Sequence, residues 1–288
     1  MDVRSADGTP VALHELAGTA GPDHPVVLVA HATGFHGRAY GPVARHLAPR
    51  FHTFGVDFRG HGDTPSAVTD VDWERYGDDA LAAADVLTAQ PGARAGLVGF
   101  GHSMGGAALL MAARRSPELF RLLVLFEPIV FDEEVSRDGV GDMLADGARR
   151  RRPAFASVDA AIANYASKPP MATFDPEALE AYVRDGVRPD GDGVRLKCEP
   201  AYEAATFERG RSHRTWDHLG EIQVPVVIAA GRIDDPPSRI ASSIAERLPR
   251  GRLVLDSSLD HFGPFTDPAT MAGFVTDAVD ALDDIDPG

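Results

Sequence analysis

The chain has 288 residues, 44% of them hydrophobic and 25% charged, which excludes a disordered or fibrous protein. A formal net charge of −15 repels phosphate backbones, so no nucleic-acid partner is expected. The single cysteine, Cys198, excludes an intrachain disulfide and a cysteine-based zinc site.

The first 25 residues carry acids and prolines and no apolar block, so a secretory signal is not expected. Buried strands are predicted at 26–30 and 52–57, the second ended by Arg59-Gly60-His61-Gly62. Trp73, Tyr76, Ala80, Ala84 and Leu87 recur at helical spacing, which predicts a helix over 72–89 with Asp72 as cap. The charge-free run 95–113 is 19 residues long, enough on length alone to span a membrane. Its glycines, together with His102 and Ser103, make it instead a strand at 95–99, a glycine turn and a helix at 104–115. No membrane span is expected, and a soluble cytoplasmic protein follows. A further strand is predicted at 122–126.

Regularity then changes. Residues 130–221 show helix signals, with starts at Ser157 and at Asp175-Pro176-Glu177, but no convincing buried strand. The sheet pattern returns at 224–230, with a helix at 239–248, a strand at 252–255 and a closing helix at 268–282. Alternating strands and helices predict an α/β fold with a mostly parallel sheet and helices on both faces. Residues 1–129 and 222–288 form its core domain, and 130–221 a helical insertion.

Gly101-His102-Ser103-Met104-Gly105, followed by Gly106, lies between an apolar strand and a helix, the context that gives Gly-x-Ser-x-Gly its chemical meaning. The turn holds the serine in a strained conformation, and glycines remove the Cβ atoms that would clash. The serine oxygen then sits at a helix N-terminus, whose dipole favours a developing oxyanion. Serine needs a base, and His261, in the loop between the last strand and last helix, is best placed among eleven histidines. An acid must orient that base. Asp234 is the first candidate, just beyond the strand 224–230, ahead of its neighbour Asp235.

On these residues the chain resembles an α/β-hydrolase over nearly its whole length, as a serine esterase or lipase-like member. Further support comes from His31-Ala32-Thr33-Gly34, similar to the family's His-Gly-x loop with Ala32 where glycine is usual, and from Asp57-Phe58-Arg59-Gly60-His61-Gly62. The run Arg195-Leu196-Lys197-Cys198-Glu199-Pro200 is similar to a subset of microbial members. The resemblance implies Ser103, Asp234 and His261 as a triad, in the order of that fold, and the backbone N–H groups of Thr33 and Met104 as oxyanion donors. Some members carry the acid after the earlier strand, which makes Glu127 an alternative to Asp234. Arg59 and His61 are expected to hold loops rather than react.

The resemblance also implies that 130–221 is a cap, or lid, over the nucleophile. Tyr165, Tyr182, Phe155 and Trp216 are expected in the cap core, and Cys198 as a buried apolar residue. The run Arg149 to Arg152 reads as a solvated helix end, with a clamp for a substrate carboxylate as the sharper alternative. The nucleophile is serine, unlike the aspartate of dehalogenases and epoxide hydrolases of this fold, and the His31 loop lacks the His-Gly-Gly-Pro of proline aminopeptidases. No metal is expected: His-Glu-x-x-His is missing, and His31/His36 and His213/His218 are five apart, off one helical face. The expected function is hydrolysis of a small-molecule carboxylic ester or lactone through an acyl-enzyme, without a cofactor. C–C bond hydrolysis or cofactor-free perhydrolysis with the same triad, or a non-catalytic binding protein of the same fold, are the alternatives. Nothing in the sequence fixes the oligomeric state.

Overall fold

The apolar blocks of the sequence become the strands of one sheet in a computed structural model that describes residues 1–66, 71–132, 139–234 and 236–285. In chain order the first elements are β1 (Val3–Arg4), β2 (Pro10–Ala17), β3 (Val26–Ala30), α1 (Gly41–Leu47), β4 (His52–Asp57), α2 (Glu74–Leu87), β5 (Leu97–His102), α3 (Met104–Arg115) and β6 (Phe120–Phe126). There follow α4 (Val140–Arg149), β7 (Ala154–Phe155), α5 (Val158–Ala166), α6 (Pro176–Gly186), β8 (Val187–Asp190), β9 (Gly193–Leu196) and α7 (Pro200–Arg209). The chain then returns to the sheet with β10 (Val226–Ala230), α8 (Pro236–Arg239), α9 (Ala241–Arg247), β11 (Gly251–Leu255), α10 (Gly263–Thr266) and α11 (Pro268–Asp283).

The eight-stranded sheet runs β1-β2-β4-β3-β5-β6-β10-β11. Pairing is parallel from β4 to β11, and antiparallel where β2 meets β1 and β4. Every residue of β3, β4 and β5 is buried, as expected for central strands covered on both faces. One face packs Leu28, Phe54 and Leu123 with Tyr76 of α2 and Leu109 of α3. The other packs Val29, Phe100 and Val124 with Val43 of α1 and Val275 of α11. The run 95–113 is thus a strand and a helix inside the core. Among the described residues, no helix is long and apolar enough to cross a membrane.

Local signals set several boundaries. Asp72 accepts a hydrogen bond from the Glu74 amide at 3.0 Å, Ser157 from Ala160 at 3.1 Å, and Asp175 from Glu177 at 2.9 Å, ahead of Pro176 at the first helical position. Strand β5 runs on to His102, beyond its expected end at 99, because Gly101 belongs to the strand, not to the turn. A Cβ on Gly99 would lie 2.6 Å from Leu123 Cδ2, so the glycine is there to let β6 and α3 close in.

Two parts escape the sequence pattern. The hairpin β1–β2 carries His14 and Glu15 between its apolar residues. Between β6 and β10 the chain is not wholly helical: β7, β9 and β8 form a small antiparallel sheet. Its strands are two to four residues long and include Arg188, Pro189 and Asp190, so they lack the apolar run that marks a strand.

Candidate active site

Sheet register brings the site together. His102 pairs with Phe126, and Phe126 with Ala229, so Ser103, Glu127 and the turn at Gly231 leave the sheet at its C-terminal edge side by side. The Ser103 amide donates to the Phe126 carbonyl at 3.0 Å, and the Glu127 amide to Ala229 at 2.9 Å. Among the described residues, Ser103 (φ 55°) and Glu127 (φ 48°) are the two non-glycine residues with positive φ. Such strain persists only where surroundings impose it, and it clusters at functional sites. At the elbow the imposition is steric. A Cβ on Gly105 would lie 2.0 Å from the Ala30 carbonyl oxygen, and one on Gly101 2.7 Å from Gly106 Cα.

His261 reaches Ser103 from the loop between β11 and α10. Its Nε2 is 3.1 Å from Ser103 Oγ, and its Nδ1 is 2.6 Å from Glu127 Oε2. Glu127 is fully buried. Its other oxygen accepts hydrogen bonds from the Gly231 amide at 2.8 Å and from the Ser238 hydroxyl. Burial pushes the Glu127 pKa up, but the hydrogen bonds from His261, Ser238 and Gly231 outweigh it, and the carboxyl is held below its ordinary value. A carboxylate so held can keep the Nδ1 proton in place, leaving Nε2 as the acceptor facing the serine.

Asp234 is not part of this arrangement, which corrects the expected acid. It is exposed, and its carbonyl accepts from Arg239 at 2.8 Å. The turn after β10 contributes instead Gly231 and, further on, Ser238 as donors that hold Glu127. Asp235 lies outside the described residues.

The loop after β3 has its own supports. Phe58 N–H donates to His31 Nε2 at 2.9 Å, so the His31 proton is on Nδ1, which donates to the Ala32 carbonyl at 2.8 Å. Phe35 N–H donates to the same carbonyl at 3.1 Å. In a trans peptide the N–H points opposite to the C=O. Fixing the Ala32 carbonyl therefore aims the Thr33 amide away from these partners. The Thr33 hydroxyl lies 3.4 Å from Met104 Sδ, so the loop after β3 touches the residue that follows the nucleophile. Among the described residues, neither the Thr33 nor the Met104 amide has an acceptor within the chain. Backbone amides without an acceptor in the chain are the kind of group that can receive an oxyanion.

The remaining expectations divide by burial. Arg59 is buried against Asp79 at 2.6 Å and also bonds Asp7 at 2.7 Å and Ser5 at 3.0 Å, tying three segments together. His61 is buried and packs on Tyr202 and His31. Phe155, Tyr165, Tyr182 and Cys198 are buried as expected, but Trp216 is not in the cap core: it is partly buried against the sheet-domain core, under the Arg247 guanidinium of α9. The four arginines part company. Arg149, Arg150 and Arg152 are exposed, whereas Arg151 turns inward onto Glu203, Tyr165 and Tyr182 beside Gly34. Its charge is already paired there. His14, Asp57 and Asp63 also cluster, but Asp57 accepts from Gly37, Asp63 and His14, and Lys197 sits 2.6 Å from Asp63. That set is an ion-pair network joining β4 to the segment before α7.

Four buried imidazoles make stability acid-sensitive. Burial pushes His31 down to about 3 and His61 to about 4, and it lowers His36 and His102 as well. Unfolded, each returns to about 6.5. Below that value the unfolded chain binds more protons than the folded one, so stability is full above it and is lost as pH falls toward the folded values. The expected result is a Tm that declines steadily from about pH 6.5 to pH 4. Calorimetry showing a flat Tm over that range contradicts it.

The family profile "Serine aminopeptidase, S33" matches residues 21–243. A 2-(acetamidomethylene)succinate hydrolase of Mesorhizobium japonicum is 26% identical over 258 residues, 89% of this chain and 88% of its own. The crystal structure of E-2-(acetamidomethylene)succinate hydrolase superposes with a TM-score of 0.76 at 21% identity, over 96% of this chain and 98% of that one. The enol-lactonase of Burkholderia xenovorans LB400 gives a TM-score of 0.67 at 17% identity, over 95% and 98%.

Proposed function

We propose that this chain, which belongs to the serine aminopeptidase S33 family of α/β-hydrolases, is a serine hydrolase that cleaves a small-molecule carboxylic ester or lactone through an acyl-enzyme. The observation that carries the reading is the line Ser103 Oγ, His261, Glu127, with separations of 3.1 and 2.6 Å. Ser103 attacks the carbonyl carbon while His261 Nε2 takes its proton. Glu127 holds the imidazole and stabilises the imidazolium. The amides of Thr33 and Met104 receive the oxyanion, and the imidazolium protonates the leaving group. Water, deprotonated by the same histidine, then releases the acid.

The segment 130–221 acts as a cap in this reading. Its Tyr182 carbonyl accepts from His36 at 3.0 Å, and its Asp175 amide donates to Phe265 at 2.8 Å, which seats it on the loops around Ser103. The protein is taken to act in the cytoplasm and without a cofactor. The matched relative is a hydrolase of 2-(acetamidomethylene)succinate, which adds acetamido dicarboxylates to the substrates worth offering.

The test is fluorophosphonate labelling with mass-spectrometric mapping, followed by a panel of p-nitrophenyl esters, lactones, acetamido dicarboxylates and ring-cleavage diketones. A single adduct on Ser103 with turnover of esters or lactones is expected. No adduct on Ser103 refutes the mechanism, and turnover of diketones alone moves the reaction to C–C cleavage.

A further inference from the structure

The residue preceding the nucleophile is a histidine, and neither its charge nor its nucleophilicity is used in the chemistry above. His102 is fully buried, as is Tyr40, which follows the loop that holds Thr33. Ala32 N–H donates to the Tyr40 oxygen at 3.1 Å. That oxygen lies 2.7 Å from His102 Nδ1, and His102 Nε2 lies 2.8 Å from the carbonyl oxygen of His261.

The proton positions follow from the partners. The His261 carbonyl can only accept, so His102 Nε2 carries a proton. Burial, and then the neighbouring His261, lower the His102 pKa well below its ordinary value, so the ring is neutral and its Nδ1 is an acceptor. Tyr40 O–H supplies the proton to Nδ1 and still accepts from Ala32. The three bonds run in one direction, from the Ala32 amide through Tyr40 and His102 to the His261 carbonyl. Each polar group along this hydrogen-bonded line has its partner.

We propose that Tyr40 and His102 are positioning residues that lock the loop of the oxyanion donor and the loop of the base to one another through the elbow. The first end of the strut is the amide of Ala32, one residue before Thr33. The other end is the backbone of His261 itself. Phe265 packs against both rings, with centroids 5.0 Å from Tyr40 and 6.0 Å from His102, and holds the strut laterally. An apolar pair would fill the same volume but would tie neither loop. Acyl transfer needs the base and the oxyanion donors correct at the same moment, and misplacement by about 1 Å can cost about 10²-fold in rate. The inference rests on the proposed roles of His261 and Thr33.

The test uses Tyr40→Phe, His102→Leu, the double variant and His102→Gln in the full-length protein. For each, Tm, the rate of fluorophosphonate labelling and the kcat and KM for a p-nitrophenyl ester are measured. Tyr40→Phe is expected to lower kcat about tenfold or more, with KM changed less than about twofold. The double variant should be no slower than His102→Leu alone, since one strut is cut in both. His102→Gln, whose amide can still donate to the His261 carbonyl, should recover most of the loss. Unchanged kcat in Tyr40→Phe overturns the proposal, as does a double variant whose losses multiply. A lowered Tm with unchanged kcat also overturns it, because that is what packing alone predicts. If His102→Leu does not fold, the Tyr40→Phe and His102→Gln results decide. A parent protein that takes no label on Ser103 overturns the hydrolase reading and this inference together. A labelled parent with normal variants overturns only the strut.

Discussion

Replacing Glu127 by glutamine is expected to lower turnover by about 10⁴-fold, while Asp234→Asn leaves it within about twofold. The amide keeps the size of the side chain but cannot stabilise an imidazolium, and it can turn an N–H toward His261 Nδ1 and force the wrong tautomer. Glu127 Oε2 is 2.6 Å from that nitrogen, and the group is fully buried, so water cannot replace it. Gly231 N–H and the Ser238 hydroxyl both point donors at Oε1, which fixes which face of an amide can be accommodated. Asp234 is exposed beyond the same turn. Turnover at saturating substrate, with circular dichroism to verify folding, separates the two. A crippled Asp234→Asn beside a normal Glu127→Gln would reverse the assignment. Stability gives a second readout. The depressed Glu127 pKa contributes stability above the ordinary carboxylate range that is lost as pH falls through the folded value, and the glutamine variant lacks that loss.

Ser103→Ala is expected to remove about 10⁶-fold of turnover and all fluorophosphonate labelling, with Tm within about 3 °C of the parent. The hydroxyl is the attacking atom, and members of such a set act as a unit, so the loss is nearly that of the whole arrangement. Folding should be indifferent. Alanine keeps the Cβ and tolerates the same φ of 55° at about the same strain, and the backbone bonds of residue 103 to Phe126, Gly106 and Ile129 need no side chain. Residual turnover at a level near the parent's, from variant protein free of contaminating hydrolase, would mean that another group attacks.

The sequence by itself determined the parts that are written in adjacent residues. Apolar blocks at 26–30 and 224–230 announced central strands, because a strand buried on both faces has no polar face to interrupt it. Gly101, Ser103 and Gly105 announced a strained turn, since the close approach of Ala30 to the position after Met104 leaves no room for a Cβ. Caps at Asp72, Ser157 and Asp175 are local chemistry and were equally legible. Short polar strands such as β8 were not, because their pairing comes from β9 and the turn at Gly191 rather than from apolar pattern.

The partner of His261 was decided only in three dimensions. Glu127 and Asp234 each follow a strand, and one-dimensional spacing cannot say which of two neighbouring strand ends faces Nδ1. Parallel register between β6 and β10 sets both ends level, and the positive φ of Glu127 turns its side chain into the interior. The turn at Gly231 then offers a backbone donor where a second carboxylate would have met like charge. The link from Ala32 through Tyr40 and His102 to His261 is of the same kind. Its members are 8, 62 and 159 residues apart, and each is an ordinary buried polar residue until the fold brings its partner within hydrogen-bond reach.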